Sequence, residues 1–336
     1  MSVKVEDLLN RLTSDPFWKE QYCADVKLVK YQHIYSGTFS EIWRGTYLCK
    51  NDHIEIIIKL IKFPDGRRAY DQESVGKEFR ILDHAHKIYE NNKLISVPKP
   101  IALFEQENVL AIEYIQGKTC FQELRNIKPW NRLGIKKIDN CVALIGKSLS
   151  LMQNSDKLDE NSEPHSRSTD LELGVFMESA LAGGMTPALA KRAEKTGKDL
   201  SNGWTSVKAV NSHGDFVPWN ILVKNEGIAI LDFSNYHLSD PEEDLSSMYT
   251  SLLGMKKFIW AGKMVERFRK KLLAGFENTP DPVRFLFWRI RTLLYFTGWL
   301  RHLKSASWIQ RMDAGITRRL YEKDLNEVIK EAELLS

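Results

Sequence analysis

The stretch "HGDFVPWN", residues 213–220, runs straight into the apolar "ILV" of 221–223. An acid, Asp215, and a carboxamide, Asn220, stand close together on what reads as a loop, with Pro218 between them restricting its freedom. "NILVKN" and "GIAILDF" then flank Glu226-Gly227 and read as a hairpin. Its second strand ends at Asp232, so the hairpin returns that carboxylate toward the loop. One carboxylate and one carboxamide can share a hard divalent cation such as Mg²⁺ through oxygen. Asp215 is then left to orient or deprotonate a hydroxyl, which is the division of labour that phosphoryl transfer asks of a protein. Singly, each of these residues is ordinary turn chemistry; their order and spacing carry the reading. Trp219 is expected in the core.

Outward from this loop the pattern divides in two. Residues 4–22 read as an amphipathic helix, with Val5, Leu8, Leu9 and Leu12 at helical spacing. "DVKLVKYQHIYSG", "FSEIWRGTYL" and "IEIIIKLIKF" read as strands. "DQESVGKEFRILDHAHKIYENN" reads as a helix with Val75, Phe79 and Leu82 on its apolar face. "VPKPIALFEQENVLAIEYIQG" reads as two further strands about the polar "EQEN". After Gly117 the texture turns helical, interrupted by the polar, irregular 155–170, and everything after Asp244 is helical. The class is α+β: a small N-terminal antiparallel-sheet lobe (1–116) with one prominent helix, then a larger, mostly helical C-terminal lobe (117–336).

Composition narrows the function classes. Of 336 residues, 48 are basic and 44 acidic, a net charge of +4 that does not argue for nucleic acid as partner. The four cysteines, Cys23, Cys49, Cys120 and Cys141, have neither zinc-site nor disulfide-framework spacing and are expected to be reduced. The N-terminal stretch has acids inside its apolar pattern and does not read as a signal peptide. No run approaches a membrane span, and the default compartment is cytoplasmic.

"HGDFVPWN" followed by "ILDF" resembles the H-G-D-x-x-x-x-N and D-F motifs of the aminoglycoside phosphotransferase and choline kinase families, the small-molecule branch of the protein-kinase-like fold. "SDPEEDL" (239–245) resembles their D-P-x-x-D-L run. The resemblance implies a bilobal kinase-like fold and an ATP- and Mg²⁺-dependent phosphotransferase acting on a hydroxyl of a small molecule or glycan. It makes Asp215 the catalytic acid, gives Mg²⁺ to Asn220 and Asp232, has His213 buttress the loop, and has Asp244 anchor it. A catalytically inactive nucleotide-binding scaffold is the alternative.

Such a reading makes demands upstream. It needs a lysine on the third strand, and Lys59 follows three isoleucines. It needs an acid on the next helix, and Glu78, with Glu73 as its rival, shares a face with Val75 and Leu82; an acid there needs a partner, for which Lys59 is the expected one. Lys62 falls on the opposite strand face. The phosphate-covering loop "YSGTFS" keeps only Gly37 where three glycines are usual in protein kinases, with the Thr38 hydroxyl beside it. The connector "LAIEYIQG" places backbone groups of Glu113 and Ile115 at the adenine edge. The acceptor falls to the variable helical parts, about 125–205 and 250–336. There "RFLFWRIRTLLYFTGWLRHLKSASW" mixes Arg284, Arg289, Arg291, Arg301, His302 and Lys304 with aromatics. A core helix with snorkelling arginines accounts for it; peripheral membrane contact through 284–304 is the competing reading.

Overall fold

The computed structural model describes residues 5–13, 18, 26–37, 40–50, 52–62, 72–158, 169–202, 204, 209–257, 261–303 and 307–335. The chain divides into two compact units: Met1–Gly117 with Ala229–Ser234, and Lys118–Ile228 with Asn235–Ser336.

The first unit opens with helix α1 (Val5–Leu12). This is the first part of the expected helix 4–22: the Thr13 N–H and hydroxyl both turn back to the Asn10 carbonyl, and of the rest only Trp18, which is helical, lies among the described residues. Strands β1 (Val26–Ser36), β2 (Ser40–Cys49) and β3 (Asp52–Ile61) come next. Helix α2 (Gln72–Tyr89) separates them from β4 (Ile95–Ser96), β5 (Pro100–Phe104) and β6 (Val109–Glu113). The five-stranded sheet runs β1-β2-β3-β6-β5, antiparallel throughout. Strand alternation sorts β3 by face. Ile56 and Ile58 enter a core with Leu8, Leu9 and Leu12 of α1 and with Trp18, Tyr47 and Val109. Lys59, one residue on, faces the other way. The "EQEN" turn is a short 3-10 segment (Glu105–Glu107), closed by Asn108 in the left-handed region. Cys49 is disulfide-bonded, which corrects the expectation of reduced thiols throughout.

The second unit begins with β7 (Lys118–Thr119) and α3 (Cys120–Asn126), where Thr119 and Gln122 form a reciprocal capping box. Then come α4 (Arg132–Gln153), α5 (Thr169–Ala182), α6 (Pro187–Ser201), β8 (Val210–Ser212) and β9 (Ile221–Val223). Strand β10 (Ile228–Ile230) carries the chain into the first unit, and β11 (His237–Ser239) brings it back. Helices α7 (Glu242–Ser251), α8 (Ala261–Gly275), α9 (Pro282–Trp299) and α10 (Trp308–Leu335) complete it. A core from α5, α6, α9 and α10 includes Leu173, Ala190, Ile290, Leu294, Leu325 and Val328. Asp324 lies buried between Arg269 and Arg289. Cys120 and Cys141 are free and buried. The fold is α+β as read, an antiparallel sheet followed by a mostly helical part. The middle of the expected polar loop, 159–168, lies outside the described residues. No helix among the described residues is long and apolar enough to cross a membrane.

Candidate active site

In the first unit the site is built around one ammonium group. Lys59 Nζ stands 2.7 Å from Glu78 on α2 and 2.8 Å from Asp232, just past β10. Glu78 is buried and Asp232 exposed. Burial works against the Lys59 charge, but Asp232 and then Glu78 outweigh it and raise its pKa. Burial raises the Glu78 pKa, with Lys59 pulling it back. Asp232 sits at φ 64°, a left-handed conformation that aspartate tolerates better than most residues. Lys62 pairs with Glu41 at 2.6 Å and donates to the Ser36 hydroxyl, so it too has partners.

Gly37 closes the β1–β2 hairpin, its N–H donating to the Ser40 carbonyl at 2.8 Å. The Tyr35 ring lies over it so closely that a Cβ there would come within 2.6 Å of the ring. Thr38 lies outside the described residues. The Glu113 N–H already donates to the Lys99 carbonyl at 2.9 Å, and the Glu113 carboxylate accepts from the Lys99 N–H. The Glu113 carbonyl and the half-buried Ile115 therefore remain as adenine-reading candidates.

In the second unit the loop 213–220 is held from beneath. Asp244, in the first turn of α7, accepts from the His213 N–H (2.6 Å), the Gly214 N–H (3.0 Å) and the Ser212 hydroxyl (3.0 Å). Burial and neighbouring Glu243 push the Asp244 pKa up to about 7, while the His213 N–H, the His237 charge and the Ser212 hydroxyl favour the charged form. Gly214 has φ +76°, and a Cβ there would meet the Asn235 carbonyl oxygen at 2.1 Å. The motif's glycine is therefore required twice over, by conformation and by space. His213 is fully buried, and its Nδ1 accepts from the Asp215 N–H at 3.3 Å. In that bond the neutral ring carries its proton on Nε2.

Asn220, buried, donates from Nδ2 to both the Asp215 carbonyl and the Asp215 carboxylate, each at 2.9 Å. These bonds orient the carboxamide and leave Oδ1 as its acceptor atom. Oδ1 and the Asp232 carboxylate are hard oxygens of the kind Mg²⁺ takes. No group of three or more His, Cys, Asp or Glu among the described residues is arranged to hold a metal by itself. Mg²⁺ is usually held by one or two carboxylates with phosphate oxygens and water completing the shell.

Trp219 is not in the core. It is 46% exposed, edge-on to Phe121 (6.3 Å between centroids) and near Phe296 (6.4 Å). Pro218 and Trp219 begin a short 3-10 turn ahead of β9, which holds the indole outward. The nearby surface of α9 exposes Tyr295 and Trp299. Burial raises the Tyr295 pKa, and the Asp215 charge adds to it.

The arginines of α9 turn inward. Arg284 pairs with Asp240 at 3.2 Å, Arg289 with Asp324 at 3.1 Å, and Arg291 with Glu172 at 3.1 Å and Glu243 at 3.3 Å. Such pairing accounts for Arg284, Arg289 and Arg291, whereas Arg301 and His302, just past α9, are exposed and Lys304 lies outside the described residues. Glu243 also meets the His237 ring at 2.8 Å. This His237–Glu243–Arg291–Glu172 network was not legible in the sequence; its one signal was a second acid beside Asp244.

Residues 42–286 match the model of the phosphotransferase enzyme family, APH. The chain belongs to this family. Solved structures are similar along nearly the whole chain. A Ralstonia eutropha protein assigned to the aminoglycoside phosphotransferases is 12% identical with a TM-score of 0.66, each chain covered to 98%. Choline kinase from Cryptosporidium parvum is 15% identical with a TM-score of 0.59, covering 98% of this chain and 97% of that one. Spectinomycin phosphotransferase APH(9)-Ia, in complex with ADP and spectinomycin, is 15% identical with a TM-score of 0.60 and 99% coverage of each. At these identities the likeness shows the kinase-like fold. No curated protein matches the sequence at a significant level.

Proposed function

We propose that the protein is an ATP- and Mg²⁺-dependent kinase that transfers the γ-phosphate to a hydroxyl of a small molecule or glycan. The observation that carries this is the Lys59 ammonium, held between Glu78 and Asp232. Burying such charges costs several kcal/mol per ion in general, of order 3–5 kcal/mol if one partner is lost. Packing alone does not ask for it; phosphate neutralisation does. The ADP in the similar spectinomycin phosphotransferase supports a nucleotide as donor.

In this reading Lys59 neutralises nucleotide phosphates and Glu78 fixes its position. Gly37 and Thr38 cover the phosphates, while Glu113 and Ile115 read the adenine. Asn220 Oδ1 and the Asp232 carboxylate would hold Mg²⁺, which when bound neutralises phosphate oxygens as charge shifts. Asp215 orients the acceptor hydroxyl and takes its proton late, since the transition state is loose. His213 holds Asp215 through its backbone. Trp219, Tyr295 and Trp299 present flat apolar faces near Asp215 that suit a ring-bearing acceptor. Glu242 and Glu243 are buried, so they do not form an acidic pocket for a polycationic amine.

Asp215→Asn tests the assignment. Transfer to a panel of hydroxyl compounds should fall about 10²–10⁴-fold, while calorimetry in Mg²⁺ finds nucleotide affinity unchanged. Wild-type turnover by this variant would remove Asp215 from the mechanism.

A further inference from the structure

The stretch Leu124–Ile138, "LRNIKPWNRLGIKKI", carries the cations Arg125, Lys128, Arg132, Lys136 and Lys137 and no carboxylate. It folds as the end of α3, a turn, and the first turns of α4. The turn is held by its own bonds. The Asn131 N–H donates to the Lys128 carbonyl at 3.0 Å and the Arg132 N–H to the Trp130 carbonyl at 3.1 Å. Asn131 Oδ1 caps α4 by accepting from the Gly134 N–H at 2.9 Å. On this fixed turn Trp130 is 78% exposed, and Leu133 is 82% exposed on α4. Arg132, Leu133, Lys136 and Lys137 occupy the helix face opposite Ile138, Cys141, Val142 and Ile145, which are buried. Arg125 lies over the Phe121 ring at 5.5 Å. Lys128, Arg132, Lys136 and Lys137 meet no carboxylate among the described residues.

We propose that this face docks on an anionic lipid bilayer, with Trp130 and Leu133 entering the headgroup region and the five cations facing lipid phosphates. Single-sign charge would suit any polyanion. The apolar pair at its centre selects the bilayer: tryptophan favours the membrane–water interface, and an exposed leucine gains nothing from a nucleic-acid backbone. Cations around an apolar tip are the pattern of peripheral membrane binding, in which burial and attraction to anionic lipid add. Arg284, Arg289 and Arg291 of α9, by contrast, are paired inward with carboxylates.

Co-sedimentation of the full chain with vesicles of phosphatidylcholine and phosphatidylglycerol, against pure phosphatidylcholine, tests the proposal. Binding is expected only to the anionic vesicles and should weaken with salt. Lys136→Ala should bind roughly fivefold more weakly. Trp130→Ala combined with Leu133→Ala should lose most binding while unfolding at the wild-type temperature, since both side chains are exposed. Absence of wild-type binding, or full binding by that double variant, would overturn the proposal. Tighter binding to duplex DNA than to the anionic vesicles would overturn it too.

Discussion

Asp244 is the residue on which the candidate catalytic loop rests. It receives three donors from Ser212, His213 and Gly214. Asp244→Ala leaves two backbone N–H groups and a hydroxyl without their acceptor, those of Ser212 and His213 in a buried setting. Each unmet group costs about 1–3 kcal/mol, so urea denaturation should find a loss of at least ~2 kcal/mol. A smaller loss would mean the loop keeps its shape by other means. The anchor role was implied by the motif; the donors it holds were not legible. Lys59 and Glu78 were legible as a pair because strand alternation and helical spacing each fixed a face. The donation of the Glu113 N–H to Lys99 was not, since it depends on how β5 and β6 align.

Among the elements, α4 and α8 approach closely at two glycines. A Cβ at Gly146 would meet the Leu272 carbonyl oxygen at 2.2 Å, and one at Gly275 the Ala143 carbonyl oxygen at 2.0 Å. Backbone cannot yield as a side chain does, so the helices must part to admit a methyl group. Gly146→Ala should destabilise by about 1–3 kcal/mol, the range for overpacking. Gly315, within α10, has nothing among the described residues within 4 Å of a Cβ. Gly315→Ala should therefore stabilise by about 0.5–1 kcal/mol through helix propensity. Thermal or chemical denaturation of both variants checks the pair; equal effects would contradict the packing described. Helix α4 itself could be read from its apolar periodicity. Which glycine meets a neighbouring backbone could not, because a sequence does not state which helices touch.

At the scale of the whole molecule, His237, Glu243, Arg291 and Glu172 tie β11, α7, α9 and α5 together. Burial opposes the His237 charge, but the Glu243 hydrogen bond and charge raise its pKa from 6.5 to about 9. A raised histidine pKa contributes stability that is complete below about pH 6.5 and is lost as pH rises through about 9. Glu243 runs the other way. Burial opposes its charge, yet Arg291 and His237 lower its pKa from 4.5 to about 2, so its contribution is complete above pH 4.5 and lost as pH falls toward 2. The pair is at full strength between pH 4.5 and 6.5. His237→Gln should flatten the decline in stability between pH 6.5 and 9, read from denaturation midpoints; an unchanged alkaline slope would show that another group carries it. The sequence by itself determined the α+β class and the order of its parts, because burial periodicity and turn chemistry act over a few neighbouring residues. It also determined the residues of HGDFVPWN, whose spacing is fixed along the chain. Only the tertiary structure decided that Trp219 is exposed, that the α9 arginines turn inward, and that Asn220 gives both its N–H bonds to Asp215. Those outcomes depend on groups far apart in sequence competing for the same few partners, and such competition is settled by packing.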